Sequence, residues 1–576
     1  MDCRPNKKRV FLICVLWSFL LFAVLYKTIG LYYAINDDIT LHNISSGLYM
    51  EKPESHLAGF IYYVYGAALA ALYTAFPAVD WYGGALVGLE FVCYVLMLYT
   101  VFSRAQTKRP GLREALLAVL CTAILLGTVI LFQFTVVSGM LLGTALFLLV
   151  CLDTKEKKSL WSYSLILVLL LIGCMLRKKA FYMVAPLFVL VWAGKLFVFN
   201  RAEGETRSAA DLLKNRKTLG FALCTLAFLL LYGGMNRIES KVYDSEPWKT
   251  YSSYNHSRSL IMDYYDWPEY EGNEAFWEQE GFSVEKQKCL TMYGILPDVD
   301  AEVIGDIAQY AASLYKEESL YRHVRSMGAL LLEVLTYESV LPYYGMLAVL
   351  IVALIRRLAA IRDRRAVWYY IAVAGVMAMY LFYLLWGGRL PARVALLLVL
   401  QAIFIVMGGL LCLPSNTSEK ASVPASVLKA VLCCGILAFI MNTTVGQVGV
   451  YRESLEEYAE LMDYMDNSGY DLFIASAGTV KTVKQFSFRD DKYEDKWFGS
   501  YGWSSNSPWY RARYQKLGVP DGVTPLLHEG AVFFTKDIEK ADNLNAYFKS
   551  ENIVSDDYQI VDRLQIGENA LVFVKW

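Results

Sequence analysis

Two adjacent carboxylates, Asp37 and Asp38, follow Asn36 a few residues after the first apolar run of the chain. Charged side chains at a membrane boundary are costly unless they are hydrated, paired or used in chemistry. A carboxylate at such a place can take a proton from a hydroxyl group as a general base. Asn-Asp-Asp is also good turn or helix-cap chemistry, so the pair has a structural interpretation beside the catalytic one.

Two groups of cations lie in short connections between apolar runs. Arg177, Lys178 and Lys179 are consecutive, and Arg389 and Arg393 stand four residues apart in a turn that contains Gly and Pro. Guanidinium and ammonium groups suit phosphate oxygens, so both groups are candidate phosphate-binding residues. The alternatives are snorkelling at a helix end or a wrong topology for the first group, and a structural ion pair for the second.

Four further polar residues are candidates for substrate binding. His56 lies in a segment with Gly47 that we interpret as a structured interfacial loop, and Asn255, His256 and Arg258 stand among aromatic residues in a long polar segment. Side chains of these types bind sugar hydroxyls, and each of them is equally common as a structural residue.

The composition narrows the class of protein. The 576 residues are 56% apolar and 19% charged, which excludes a disordered chain and argues against a wholly soluble one. A net charge of −1 excludes a strongly basic nucleic-acid binder, so no nucleic-acid partner is expected. The sequence has no CxxC pair and no Walker A, HExxH or GxSxG motif, nor a GxGxxG after a strand. These absences argue against ATP-driven pumping, Rossmann cofactors, zinc proteolysis and α/β-hydrolase chemistry, and we expect no cofactor.

Apolar runs dominate the first 450 residues. A basic start precedes a run of about 20 residues with no cleavage site after it, which predicts an uncleaved first membrane helix with a cytoplasmic N-terminus. Further apolar runs occur at residues 59–76, 83–102, 115–132, 135–152, 160–176, 180–199, 219–235, 341–355, 368–386, 394–413 and 427–441.

Four basic loops, at residues 104–113, 154–158, 201–217 and 356–365, can all be cytoplasmic only if one early run does not cross the membrane. The weakest run is 59–76, so we predict about 11 full crossings, or 12 helices with this run, and an outside C-terminus. The chain is thus predicted to be a polytopic α-helical protein of the cytoplasmic membrane, with the lipid bilayer as a partner.

Two polar segments are then expected outside. They are residues 236–338 and the tail 451–576, with net charges of roughly −10 and −7 by side-chain count. The tail predicts an extracytoplasmic α/β domain with strands at 470–477 and 531–535, a helix at 537–549 and a hairpin of 558–565 and 570–575. We accordingly divide the chain into a membrane domain, 1–450, with a first outer loop at about 30–58, and this tail domain.

The order of these parts resembles the GT-C superfamily of membrane glycosyltransferases, and within it uncharacterised bacterial multi-pass proteins. The likeness rests on the acidic pair, the loop after it, a stretch with aromatic residues and Pro, and a Gly-Arg-x-Pro-x-Arg turn, at Asp37 and Asp38, Gly47, Pro53 and His56, Leu72, Tyr73, Pro77, Trp81 and Tyr82, and residues 388–393.

This resemblance implies a sugar donor carried on a polyprenyl phosphate and an inverting transfer to a glycan or glycopolymer acceptor of the cell envelope. It implies Asp37 or Asp38 as the base and Arg177, Lys178, Arg389 and Arg393 as phosphate ligands. Many members have another acid in the second outer loop, whereas residues 132–138 here have none, so we expect no metal site. Two alternatives stay open: a transporter or flippase of a lipid-linked saccharide, and a non-catalytic envelope-assembly protein.

Overall fold

The computed structural model describes most of the chain. The described residues are 6–48, 52–57, 59–105, 110–195, 216–293, 296, 299–316, 320–361, 363–413, 423–476, 478–479, 481–489, 503–504, 506–516 and 524–576.

The described helices, in chain order, are α1 (Lys7–Thr28), α2 (Asn36–Ser46), α3 (Tyr63–Ala75), α4 (Trp81–Ser103), α5 (Leu112–Val129), α6 (Phe134–Cys151), α7 (Ser159–Leu176), α8 (Lys178–Gly194), α9 (Arg216–Tyr243), α10 (Trp248–Leu260), α11 (Glu274–Gln279), α12 (Val284–Tyr293), α13 (Ala301–Lys316), α14 (Leu320–Thr336), α15 (Leu341–Ile361), α16 (Arg364–Trp386), α17 (Ala392–Cys412), α18 (Val423–Asn467), α19 (Pro508–Lys516) and α20 (Ile538–Ser550). The described strands are β1 (Tyr32–Tyr33), β2 (Leu131–Phe132), β3 (Leu472–Ala475), β4 (Ala531–Thr535), β5 (Gln559–Ile566) and β6 (Asn569–Lys575).

Within the described residues, ten helices are long and apolar enough to cross a membrane: α1, α4, α5, α6, α7, α9, α15, α16, α17 and α18. The predicted class, a polytopic α-helical membrane protein, is confirmed. The count is one below the predicted 11 because the run at 180–199 corresponds to α8, which is described over 17 residues and contains Pro186.

Helix α3 occupies the run that the charge pattern singled out as the weakest. It has 13 residues, which span about 20 Å, whereas the hydrocarbon core of a bilayer is about 30 Å thick. This helix is too short to cross, as the prediction for residues 59–76 requires.

Helix α6 lies at the centre of the helical bundle. It is the most enclosed of the candidate spans, followed by α17, and the two helices pack against each other. Glu90 of α4 is completely buried in this region, where its Oε2 accepts a hydrogen bond from Thr128 at 3.3 Å. Oε1 of Glu90 has no hydrogen-bond partner among the described residues. Charge patterning of the sequence did not single out this carboxyl.

The basic loops meet at one end of the bundle. Lys7 Nζ lies 3.0 Å from Glu156 Oε1, and Lys217 donates to the Glu156 carbonyl at 3.1 Å. Arg357 donates to the carbonyl of Leu413 at 3.2 Å. Arg104 is within electrostatic reach of Glu156, and Arg357 is within electrostatic reach of Arg113. The described parts of the four loops thus share one end, as their common placement predicted; residues 106–109, 201–215 and 362 lie outside the described part.

A short parallel pairing closes the other end. Strand β1 follows α1 and pairs with β2, which joins α5 to α6, with Tyr32 opposite Leu131 and Tyr33 opposite Phe132. Because α2 begins directly after β1 and α6 directly after β2, this pairing brings the first turns of these two helices together.

The tail contains the predicted elements. Strands β3 and β4 are parallel, β4 and β6 are antiparallel, and β5 and β6 form the closing hairpin in the order β3-β4-β6-β5. Helix α20 begins after Asp537, whose side chain accepts a hydrogen bond from the Glu539 amide at 3.1 Å. The boundary at residue 451 stays a prediction; α18 passes through it without a break.

The two faces of this sheet pack against different partners, because side chains alternate along a strand. Phe473, Phe534 and Phe573 pack on Leu461 and Met465 near the end of α18. The opposite face packs on α20 and on the helices of the 236–338 segment, including the fully buried Trp277 and Ile304. The tail and the large polar segment therefore share one core.

Candidate functional site

The acidic pair lies in the first turn of α2, where the helix dipole favours negative charge. Asp38 is completely buried. Its Oδ1 accepts hydrogen bonds from the Tyr82 hydroxyl at 2.8 Å and from the backbone amide of Phe134 at 3.0 Å. The second bond is a direct result of the β1–β2 pairing, since Phe134 is the first residue of α6.

Burial raises the pKa of Asp38 to about 8. The hydrogen bonds from the Phe134 amide and the Tyr82 hydroxyl lower that pKa, the charge of Asp37 raises it and the charge of Arg393 lowers it. Its Oδ2 atom has no hydrogen-bond partner among the described residues. The carboxyl therefore holds its proton up to about neutral pH.

Asp37 is half-buried and differs from its neighbour in its surroundings. Its Oδ1 accepts a hydrogen bond from the indole Nε1 of Trp503 at 2.9 Å. Trp503 also packs edge-on against Phe60, with ring centroids 4.9 Å apart. The charge of Asp37 acts on Arg177 and raises the pKa of that guanidinium.

Arg177 lies at a break between α7 and α8, with extended backbone angles of φ −154° and ψ 97°. Its guanidinium lies 5.3 Å from the ring centroids of both Phe60 and Phe134, a cation–π arrangement on two sides. Burial lowers its pKa to about 10, with a further lowering by Arg393, so it stays charged at neutral pH.

Lys178 and Lys179 open helix α8 and diverge. Lys178 lies over the rings of Tyr62 and Tyr182, at 5.6 and 6.0 Å. Lys179 is exposed and is within electrostatic reach of Arg177. The first turn of α8 contains no acid, so Lys178 and Lys179 lie at the positive end of the helix dipole without a carboxylate in that turn. A bound anion would be attracted by the dipole and by both lysines.

The turn between α16 and α17 carries the other arginines. Gly388 has φ +73°, a left-handed conformation that favours glycine. Arg389 Nη1 lies 2.5 Å from Asp263 Oδ2, so the structural ion pair considered for this turn is present, with Asp263 as the partner. Arg393, at the start of α17, pairs with no carboxylate of the described residues and is within electrostatic reach of Asp38 and Arg177.

Six of the predicted residues thus share one place, at the end of the bundle away from the basic loops. We name as the acid–cation site Asp37, Asp38, Arg177, Lys179, Arg389 and Arg393. They come from α2, the α7–α8 break and the α16–α17 turn, which are distant in sequence.

The remaining predicted residues have other contacts. His56 Nδ1 lies 2.6 Å from Glu54 Oε1, and its ring stacks on Trp248 with centroids 4.3 Å apart. Arg258 donates to Asn255 at 3.1 Å within α10, and His256 is exposed. No described contact joins these four residues to the acid–cation site.

The second outer loop contributes to the site without an acid. Phe134 supplies its amide to Asp38 and its ring to Arg177, and the neighbouring side chains of Gln133 and Thr135 are buried. Among the described residues, no group of three or more His, Cys, Asp and Glu side chains is placed to hold a metal ion.

A buried polar network behind Asp38 was missed by the sequence reasoning. Asp80 accepts hydrogen bonds from the Tyr33 hydroxyl at 2.6 Å and from the Gly83 amide at 2.8 Å. His42 Nε2 lies 3.6 Å from Asp80 Oδ1. The network reaches the site because Tyr82, at the start of α4 beside Asp80, donates to Asp38. The sequence signal for this network was the group Asp80, Trp81 and Tyr82 directly before the apolar run at 83–102.

No family model matches the chain, and no curated protein matches it. Two solved structures are similar to it. The crystal structure of ArnT from Cupriavidus metallidurans in the apo state is 11% identical with a TM-score of 0.40, over 97% of each chain. The crystal structure of the same protein bound to undecaprenyl phosphate is 9% identical with a TM-score of 0.38, over 98% of this chain and 97% of that one.

Proposed function

We propose that this protein is a GT-C-type glycosyltransferase that moves a sugar from a polyprenyl-phosphate carrier to an acceptor of the cell envelope. The observation that carries the proposal is the acid–cation site itself. The half-buried carboxylate of Asp37 and two arginines that pair with no carboxylate of the described residues, Arg177 and Arg393, lie together at one end of a membrane bundle. The proposal places this end at the outer face of the cytoplasmic membrane, with the basic loops inside.

Asp37 is the proposed base. It is half-buried and so accessible to a substrate, whereas Asp38 is completely enclosed and holds its proton up to about neutral pH. The proposed role of Asp38 is to position the first turn of α2, which carries Asp37. Its Oδ1 accepts hydrogen bonds from the start of α6 and from Tyr82 of α4.

In the proposed step, Asp37 takes the proton of an acceptor hydroxyl as that oxygen attacks the anomeric carbon of the sugar. The bond between this carbon and the phosphate oxygen breaks, and the polyprenyl phosphate leaves as an anion. Attack from the face opposite the phosphate inverts the anomeric centre. The products are a glycoside and a polyprenyl phosphate.

Arg177 and Arg393 are the proposed ligands of the leaving phosphate. Neither guanidinium pairs with a carboxylate of the described residues, so each is available to an anion. Arg389 already pairs with Asp263, so we propose it only as an additional positive charge near the phosphate and not as a direct ligand. Positive groups held where negative charge develops stabilise the transition state without reorganisation.

A flippase of the same lipid is the second candidate, because it would use the same cations. It needs no general base, and it would leave the mass of the lipid unchanged. The half-buried carboxylate of Asp37 beside two free arginines favours transfer over transport.

The test uses the full-length protein in vesicles with a panel of synthetic polyprenyl-phosphate sugars and a cell-envelope extract as acceptor. Mass spectrometry follows the conversion of the donor to polyprenyl phosphate. We expect Asp37→Asn to lower turnover by roughly 10²- to 10⁴-fold while leaving donor binding intact. Asp556→Asn, in the exposed tail, is the control. Turnover that persists in Asp37→Asn, Asp38→Asn and the double variant refutes the proposal.

A further inference from the structure

Helix α14 carries an exposed apolar face although it is not one of the candidate spans. Five large apolar side chains of α14, which we call the apolar stripe, are 47–75% exposed: Leu320, Tyr321, Val324, Leu332 and Leu335. At 100° per residue they fall within one third of the helix circumference. Large contiguous apolar patches on a protein surface mark an interaction with another protein or with a membrane.

The helix before it shows what such a face normally does. Helix α13 is also strongly amphipathic, and its apolar residues Ile304, Ile307 and Ala311 are buried against the core shared with the tail. The apolar face of α14 has no such cover in the described structure. The contrast between two successive helices singles out α14.

The other faces of α14 fix how it lies. One face points into the protein, where Val334 is buried and His323 Nε2 lies 3.0 Å from the Trp386 carbonyl. A third face is polar and carries Arg322 and Glu333, both exposed. A helix with protein on one side, water on another and an uncovered apolar stripe between them has the form of an interfacial helix.

Two candidate membrane spans adjoin α14. Helix α15 follows it within five residues and α16 packs against it, and both are candidate membrane spans. The ends of these spans nearest α14 carry the exposed apolar side chains Leu341, Phe382 and Trp386. The apolar stripe thus adjoins exposed apolar side chains of two candidate membrane spans.

We propose that α14 lies in the membrane interface at the end of the bundle that holds the acid–cation site, with its apolar stripe inserted among the lipid acyl chains. The lipid surface is its partner. The placement does not depend on the proposed function, because it follows from exposure and helix geometry alone.

The interfacial position of α14 affects the turn that carries Arg389 of the acid–cation site. His323 contacts the Trp386 carbonyl, and the Tyr337 hydroxyl donates to the Leu390 carbonyl at 3.2 Å, so the α14 region holds both sides of the turn that carries Arg389. The bilayer surface therefore sets the height of this turn relative to the headgroups.

The test places a photoreactive benzoylphenylalanine at Leu332 or Tyr321 of the full chain, in nanodiscs of phosphatidylglycerol and phosphatidylcholine. Ala329, on the polar side of the same helix, is the matched control position. After irradiation, mass spectrometry identifies what each probe has captured. We expect lipid adducts at Leu332 and Tyr321 and none at Ala329. Equal lipid capture at all three positions, no lipid capture, or capture of a second copy of the chain would overturn the proposal.

A charged double variant tests whether lipid capture by the probe depends on the apolar stripe. Val324→Asp combined with Leu335→Asp places two charges in the apolar stripe. We expect this double change to abolish lipid capture by the Tyr321 probe, whereas Ala329→Asp, on the polar side, leaves it unchanged. Capture that survives the two charges contradicts the insertion.

Discussion

The indole of Trp503 donates a hydrogen bond to Asp37 at 2.9 Å across 466 residues of sequence. Trp503 belongs to the tail, whereas Asp37 belongs to the first outer loop, so the tail completes the surroundings of the proposed base. The bond occupies the Oδ1 oxygen of this carboxylate.

Removing this indole hydrogen bond gives the first prediction. A hydrogen bond to a charged group is worth about 1.5–3 kcal/mol, so Trp503→Phe should lower turnover roughly ten- to 100-fold if that energy is lost in the transition state. Trp509→Phe is the matched control, because the Trp509 indole nitrogen is buried with no hydrogen-bond partner among the described residues. Equal turnover in the two variants would show that the bond has no part in the reaction.

The raised pKa of Asp38 gives a prediction about stability and pH. A carboxyl whose pKa is raised on folding, here to about 8, stabilises the fold fully below its ordinary value near 3.8. That contribution is lost progressively as the pH rises to about 8. Asp38→Asn keeps a neutral side chain with the same acceptor. We expect the Tm of the wild type in detergent to fall more than that of Asp38→Asn between pH 5 and pH 9; parallel curves would contradict the raised pKa.

Arg177 gives a prediction about donor binding. Arg177→Lys keeps the charge but loses the planar guanidinium between Phe60 and Phe134, where each cation–π contact is worth about 0.5–2 kcal/mol. We expect weaker binding of polyprenyl phosphate, measured by native mass spectrometry, and a still larger loss in Arg177→Gln. Lys249→Gln, an exposed change of the same charge on α10, is the control. Unchanged binding in both Arg177 variants would remove this residue from the site.

The exposed His256 gives a prediction in the opposite direction. No described contact joins it to the acid–cation site, so His256→Ala should leave turnover within about twofold of the wild type, as is usual for surface changes. A large loss of turnover would restore the sugar-binding interpretation of the 255–258 segment.

The network behind Asp38 gives a prediction about folding. The Tyr33 hydroxyl is fully buried and donates to Asp80 at 2.6 Å. Tyr33→Phe leaves that carboxylate one donor short, which costs about 1.5–3 kcal/mol for a bond to a charged group. We expect a lower free energy of unfolding in denaturant, and an effect smaller than the sum of the two single changes when Tyr33→Phe is combined with Asp80→Asn. Additive effects would contradict the coupling.

Local patterns carried much of the prediction. The tail strands and helix were predicted to within a few residues, because alternating apolar residues and the cap at Asp537 are local signals. The unusual placement of Arg177 and Arg393 outside the basic loops likewise marked them from charge alone. The proximity of these residues to Asp37 depends on how the helices pack. The sequence predicted only that all three residues lie on the same side of the membrane.

The unpredicted features all depend on contacts that are distant in sequence. Nothing near Trp503 indicates that its indole meets Asp37, and nothing near Arg389 indicates Asp263 as its partner. The difference in surroundings between Asp37 and Asp38 was equally hidden, because it results from the amide of Phe134 and the enclosure of one carboxyl.

Helix α18 is unbroken from Val423 to Asn467, which corresponds to a rod of about 68 Å. Its first part is apolar enough to span a bilayer, and Leu461 and Met465 near its end are packed into the tail sheet. A change in the tilt of this rod therefore moves the sheet. Since helices respond to bilayer thickness by tilting, the alignment of the tail over the acid–cation site becomes sensitive to the acyl-chain length of the surrounding lipids.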